Sequence, residues 1–386
     1  MKLEMTWADT ARTLAADFGQ RAVAHDRDGS FPHANFADLQ QAGFLALAAP
    51  RALGGQQASV AELGEVIGAI GYGCPATALV LVLSMQYLQQ RGMARAGSPW
   101  PEPLARQLVR EAVQGVSLAN SLRVEPELGT PARGGLPATV ARRTPDGWRL
   151  SGRKIYSTGA PILRWYAVWA RTDDAEPQVG TFLVRAGSPG VRIEESWDHL
   201  GLRASGSHDV VFDDVPTPLD HGMGIAPPGA QSRDTNMQAE MTVLLGALYT
   251  GVARAARDWL LGFLRERTPA SLGAPLATLP RVQEAVGRIE ALLLSNQRLI
   301  ASLARELDAG AQVALADSGL IKTLVMRQAV ETVQEALALT SNHGLSRRNP
   351  LERHLRDVLC GRIHTPQEDS ALVLAGRAAL EQGQRG

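Results

Sequence analysis

From residue 237 onward, apolar residues recur at helical spacing for three long stretches, and this recurrence limits the possible folds more than any other feature of the chain. Leu244, Leu245, Leu248, Val252, Ala255, Trp259 and Phe263 form one stripe. Val282, Val286, Ile289, Leu292, Leu293 and Ile300 form a second, and Ile321, Leu324, Val325, Ala329, Val333 and Leu337 a third. A long helix with one apolar stripe must bury it against a neighbour. With a shorter helix at 351–362, the stripes predict a four-helix bundle over residues 237–386.

The rest of the chain divides by texture. Residues 1–115 read as a helical N-terminal domain, with Phe36, Leu39, Phe44 and Leu45 near helical spacing and Leu63, Val66, Ile67 and Ile70 on one face. Residues 116–219 change to short runs rich in β-branched and aromatic residues, broken by Gly and Pro, which predicts a central β-barrel or sandwich. Residues 220–236, rich in Gly and Pro, read as a linker. The fold class expected is therefore α+β, mostly α. The apolar run ATALVLVLSM at 76–85 is too short to cross a membrane and reads as a buried helix.

Charge and cysteine content narrow the partners. Thirty-nine basic residues balance 39 acidic ones, so no overall charge favours nucleic acid or an anionic membrane. Cys74 and Cys360 are too few and too far apart for a disulfide framework or a cysteine-ligated metal site, which fits a reducing cytoplasm and no bound metal. There is no Walker-type phosphate loop, no strand-linked GxGxxG, no HExxH and no nucleophile elbow.

Three longer segments carry more. DRDGSFPHANFADLQQAGFLALAAPRALGG near the start, WDHLGLRASGSHDVVFDDVPTP at 197–218 and NPLERHLRD at 349–357 resemble signatures of the acyl-CoA dehydrogenase superfamily, in the same order along the chain. The resemblance implies a helical domain, a β-domain and a helical bundle assembled as a homodimer or homotetramer, with FAD as cofactor and FMN as the alternative. It also implies flavin-contacting positions. VEPELGT at 124–130 is similar to the loop that holds the flavin pyrimidine edge, placing Val124, Gly129 and Thr130 there. KIYSTGA at 154–160 is similar to a second flavin segment, so Tyr156 would lie against the ring system, Ser157 beside it, and Thr158 at flavin N5. Tyr156 and Thr158, two residues apart on a strand, would share one face. Arg267 resembles the arginine that reaches the cofactor pyrophosphate of a neighbouring subunit, and Asn342 and Gly344 fall in a segment that resembles a glycine-rich cofactor loop whose glycine pair is here Ser341–Asn342.

The catalytic position divides two readings. Dehydrogenation beside a thioester needs a carboxylate base, but the segment where many members place it reads IHTPQ, with His364 and Thr365. If the base comes from an earlier helix instead, Glu240 is the candidate. That reading, which the retained EP loop, Thr158 segment and ERxxRD-like segment favour, gives an acyl-thioester dehydrogenase with an electron-transfer partner. Alternatively, HTPQED at 364–369 is similar to the flavin-monooxygenase branch, with His364 as a hydrogen-bond donor in a dry pocket and a separate flavin reductase as partner. In both cases the substrate is an acyl-CoA or another small molecule. A flavin-binding protein without turnover is a third reading.

Overall fold

The computed structural model describes residues 5–84, 86–128, 135–230 and 234–382. Its N-terminal domain is built from α1 (Trp7–Asp28), α2 (His33–Gln41), α3 (Val60–Gly73), α4 (Pro75–Leu83), α5 (Gln86–Met93) and α6 (Glu102–Gln114). Reciprocal capping boxes start two of these, Thr6 with Asp9 at α1 and Ser59 with Glu62 at α3. The apolar run beginning at residue 76 becomes α4 and is almost wholly buried, as expected. Among the described residues no helix is long and apolar enough to cross a membrane.

The central domain is one sheet of β1 (Leu118–Leu122), β2 (Val140–Thr144), β3 (Gly147–Lys154), β4 (Leu163–Thr172), β5 (Val179–Arg185), β6 (Val191–Glu194), β7 (Asp209–Thr217) and β8 (Gly222–Ala226). The order is β6-β7-β3-β2-β4-β5-β8, with β1 pairing parallel to β4. β2 also runs parallel to β4, whereas the other ladders are antiparallel. Trp148, Tyr166, Phe182 and Phe212 are buried within this domain. β8 lies inside the stretch read from sequence as a linker. Its paired segment is too short and too glycine-rich to show alternation, yet it closes one edge of the sheet against β5.

The bundle comprises α7 (Thr235–Glu266), α8 (Pro280–Asp308), α9 (Leu315–Ala338), the single turn α10 (Asn342–Leu345), α11 (Leu351–Leu359) and α12 (Glu368–Gln382). The expected short helix at 351–362 ends three residues early in a 3-10 turn over Cys360–Ile363. Helix α12, packed on α9, was not foreseen: it is mostly exposed and so carries little apolar periodicity.

Two contacts weld the helical domains together. The Asp308 carboxylate at the end of α8 accepts from the Val60 and Ala61 amides at 2.7 and 3.0 Å, capping α3 from outside. On α7, a Cβ at Gly251 would lie 2.4 Å from the Gly68 carbonyl, so only glycine permits the close crossing of α3 and α7.

Candidate active site

After β3 the chain leaves the sheet in a tight turn. The Ile155 amide donates to the Val124 carbonyl, Ser157 to His208, and Thr158 to Tyr156. Tyr156 adopts φ 56°, so its ring does not share a strand face with Thr158 as the sequence suggested. It is 54% exposed while Thr158 is 5% exposed. The expectation assumed that β3 continues, but the strand ends at Lys154 and the left-handed residue turns the ring outward.

The result is an aromatic shelf beside a row of hydroxyls. Tyr156 stands edge-on to Trp197 and His199, at 6.4 and 5.9 Å between ring centres, and those two rings stack on each other at 3.6 Å. Beneath, the Thr158 hydroxyl meets Ser207 at 2.9 Å and Ser207 meets Ser205 at 2.8 Å. Asn120 Nδ2 donates to the Thr158 carbonyl at 3.0 Å, fixing the turn. Two buried polar atoms, Ser157 Oγ and Asn120 Oδ1, lack partners among the described residues. A flavin fits such a site, since its ring can lie on the shelf and its polar edge can take up hydroxyls the protein leaves unsatisfied.

The glutamate beside Val124 has another task. Glu125 is buried and accepts from the Ala138 amide (2.6 Å), the Thr139 amide (3.0 Å) and hydroxyl (2.5 Å), and Lys154 Nζ (2.6 Å), tying Ala138 and Thr139 to the end of β3. Burial pushes the Lys154 ammonium down to about 8 against the pull of Glu125. For Glu125, burial acts to raise the pKa, but the Lys154 and Thr139 hydrogen bonds hold it below the ordinary value. Gly129 and Thr130 lie outside the described residues.

Arg267, Asn342 and Gly344 gather at the far end of α7. Arg267 is exposed just past its last turn, and the Phe263 ring one turn back lies 5.2 Å from His343 in α10. Asn342 is exposed and Gly344 is buried against Thr340. Among the described residues, no hydrogen bond or ring contact joins this group to the Tyr156–Thr158 turn.

The two candidate catalytic residues have unlike surroundings. Glu240 is buried, its Oε1 3.1 Å from Arg91 Nε and 2.8 Å from Arg95 Nη2, both supplied by the region of α5. Arg95 pairs with Asp234 as well. His364 follows the 3-10 turn and places Nε2 2.6 Å from the Tyr249 hydroxyl on α7. Lys322, buried on α9, donates to the carbonyls of His364 (2.7 Å) and Pro366 (2.9 Å). Burial and, secondarily, the charge of Lys322 push the His364 imidazole down to about 3, and burial raises the Tyr249 phenol well above 10. Both partners are therefore neutral across physiological pH.

Sequence reading missed Tyr249, Lys322 and Ser207. Tyr249 sits within an apolar stripe and reads as packing. Lys322 did offer a signal, as one of three lysines in the chain, set directly among the apolar residues Ile321, Leu324 and Val325. The segments at 197–218 and 349–357 prove to touch. The Leu202 amide donates to Asp357 (2.7 Å), and Arg356 donates to the Leu200 carbonyl (2.9 Å) while gripping Asp26 through both terminal nitrogens (2.9 and 2.6 Å). A Cβ on Gly201 would lie 2.2 Å from the Arg356 carbonyl.

Family models match in chain order: acyl-CoA dehydrogenase N-terminal domain at 3–101, middle domain at 124–215 and C-terminal domain at 243–368. The putative acyl-CoA dehydrogenase YdbM of Bacillus subtilis is 31% identical over 373 residues, covering 95% of this chain and 94% of its own. The amino sugar nitrososynthase DnmZ of Streptomyces peucetius is 32% identical over 362 residues, covering 89% of this chain and 84% of its own. The structure of KijD3 in complex with FMN and a dTDP-linked amino-keto sugar superposes with a TM-score of 0.83 at 27% identity, covering 98% of this chain and 97% of that one. With three domain matches in order and near-complete coverage of both chains at this identity, the protein belongs to the acyl-CoA dehydrogenase superfamily of flavin-dependent oxidoreductases.

Proposed function

We propose that the protein is a flavin-dependent monooxygenase that adds one atom of dioxygen to a small organic substrate, the other atom leaving as water. The observation that carries this reading is the state of the two candidate catalytic side chains. Removing an α-proton from a thioester needs a free carboxylate in a dry site. Glu240 is instead held by two guanidinium groups, and the position of the usual glutamate is taken by Thr365 beside the neutral His364–Tyr249 pair. Such a pair suits the handling of activated oxygen, because it can donate a hydrogen bond without drawing in water or charge.

The chemistry a bound reduced flavin supplies is a two-electron activation of dioxygen. Tyr156, Trp197 and His199 would support its ring face, and Thr158, backed by Ser207, its polar edge. His364 and Tyr249 would offer a hydrogen bond to the reacting oxygen, while Lys322 fixes the loop that carries His364. FMN is favoured over FAD by the KijD3 complex and by Ser341–Asn342 replacing the glycine pair. The nitrososynthase relatives support the oxygen-using class. Reducing equivalents would come from a separate reductase, and Arg267 at the exposed end of α7 suits a site completed between subunits of a dimer or tetramer.

The competing reading, acyl-thioester dehydrogenation, draws on the name of YdbM. One experiment separates them. The FMN-loaded protein should keep its visible absorbance when titrated anaerobically with acyl-CoAs of several lengths. After chemical reduction and mixing with oxygen, oxygen uptake should precede the return of oxidised absorbance. Bleaching by any acyl-CoA would return the dehydrogenase reading.

A further inference from the structure

A cavity of about 370 Å³ opens between α1, α3, α7 and the start of α11, with Gly19, Tyr72, Asp258, Trp259, Arg353 and His354 in its wall. Its size falls within the range of about 300–1,000 Å³ common for small-molecule sites. Arg353 is only 8% exposed and has no hydrogen bond or ion pair among the described residues; its Nε is a buried donor left unsatisfied. The other charged residues of α11 are all engaged. Glu352 binds Arg356, Arg356 binds Asp26, and Asp357 accepts from the Leu202 amide. Across the cavity Asp258 is already satisfied by the Tyr72 hydroxyl at 3.0 Å and by Arg257 at 2.7 Å. His354, 5% exposed, also has a buried Nδ1 without a partner.

Asp357, one turn along α11, attracts this guanidinium but accepts from the Leu202 amide instead, so the buried donors of Arg353 stay unpaired, which is costly, and their planar fork matches a carboxylate or phosphate. Trp259 and Tyr72 add aromatic wall suited to a ring. We propose that this cavity binds a small ring-bearing anion, its carboxylate or phosphate held by Arg353 with His354 beside it, in a wall that holds none of the residues assigned above to the flavin or the reaction. The neutral imidazole contributes one hydrogen bond without competing for the charge.

The test uses the full-length, flavin-loaded protein with inorganic phosphate, benzoate and adenosine monophosphate as probes, followed by calorimetry and thermal unfolding. At least one should bind and raise Tm; benzoate alone marks a carboxylate site, and phosphate or the nucleotide a phosphate site. Arg353→Gln should weaken that binding at least tenfold, keep its flavin, and melt no lower than wild type without anion, since it removes a buried charge that makes no hydrogen bond. Ala16→Phe, which fills the cavity mouth from an exposed position on α1, should abolish binding while Arg353 remains. The proposal is overturned if no probe binds the wild type, if both variants bind as it does, if Arg353→Gln loses flavin, or if that variant dissociates to a smaller oligomer, which would make a neighbouring subunit the counter-ion.

Discussion

Tyr249 and His364 are 115 residues apart in sequence and 2.6 Å apart at their hydrogen-bonding atoms, and both are neutral. Helix α7 supplies the phenol and the loop after α11 supplies the imidazole, so the pair forms only when the bundle closes.

Tyr249→Phe removes one hydrogen bond, about 1 kcal/mol, and leaves the His364 ring free to turn. The reduced, flavin-loaded variant should release hydrogen peroxide about fivefold faster than wild type on mixing with oxygen. Peroxide trapping in a stopped-flow instrument measures this. Equal release rates would remove the pair from oxygen handling.

Glu240→Gln leaves Arg91 without a charge partner and Arg95 with Asp234 alone. Breaking a buried ion pair on one side costs about 3–5 kcal/mol, and the retained Asp234 contact places the expected loss near the lower figure. Urea unfolding should show the lower midpoint, while the oxygen reaction of the reduced flavin is unchanged. Intact stability with lost flavin chemistry would make Glu240 a base after all.

Thr158→Val disconnects Ser207 from the turn and removes the hydroxyl assigned to the flavin edge. Flavin affinity should fall by about 1 kcal/mol, roughly fivefold, with a shift in the visible spectrum. A variant that binds with the same affinity and the same spectrum would place the flavin elsewhere.

His354, like His364, makes stability depend on pH. Burial, with a smaller contribution from Arg353, lowers its folded pKa from 6.5 to about 3. Between those values the unfolded chain binds a proton that the folded chain cannot, so stability is retained above pH 6.5 and lost as pH falls. The slope is about 1.4 kcal/mol per pH unit below that point. Unfolding midpoints measured from pH 7 to pH 4 should fall more steeply for wild type than for His354→Leu.

How much of this was legible in the sequence depends on distance along the chain. The three apolar stripes became α7, α8 and α9 because helical periodicity is local. The segments around Leu202 and Asp357 could each be read, but not their contact, which spans 155 residues. Glu240 shows the same limit at finer scale. One residue turns a helix by about 100°, and the arginines that fix its direction lie on another part of the chain. Tyr156 was misplaced because its left-handed backbone, in a turn whose next residues Ser157 and Gly159 bond to His208 and Ser205, leaves no trace in residue type.

The Arg356–Asp26 ion pair joins residues 330 positions apart. At about 5–20 residues per second, a ribosome takes roughly 16–66 s to make the intervening chain. Throughout that interval α1 has emerged without its anchor, and until residues 235–266 are made α3 lacks the α7 surface it packs on. Nascent N-terminal domain is therefore a natural client for chaperones, and messages truncated before codon 356 should yield insoluble product even though every residue of that domain is present.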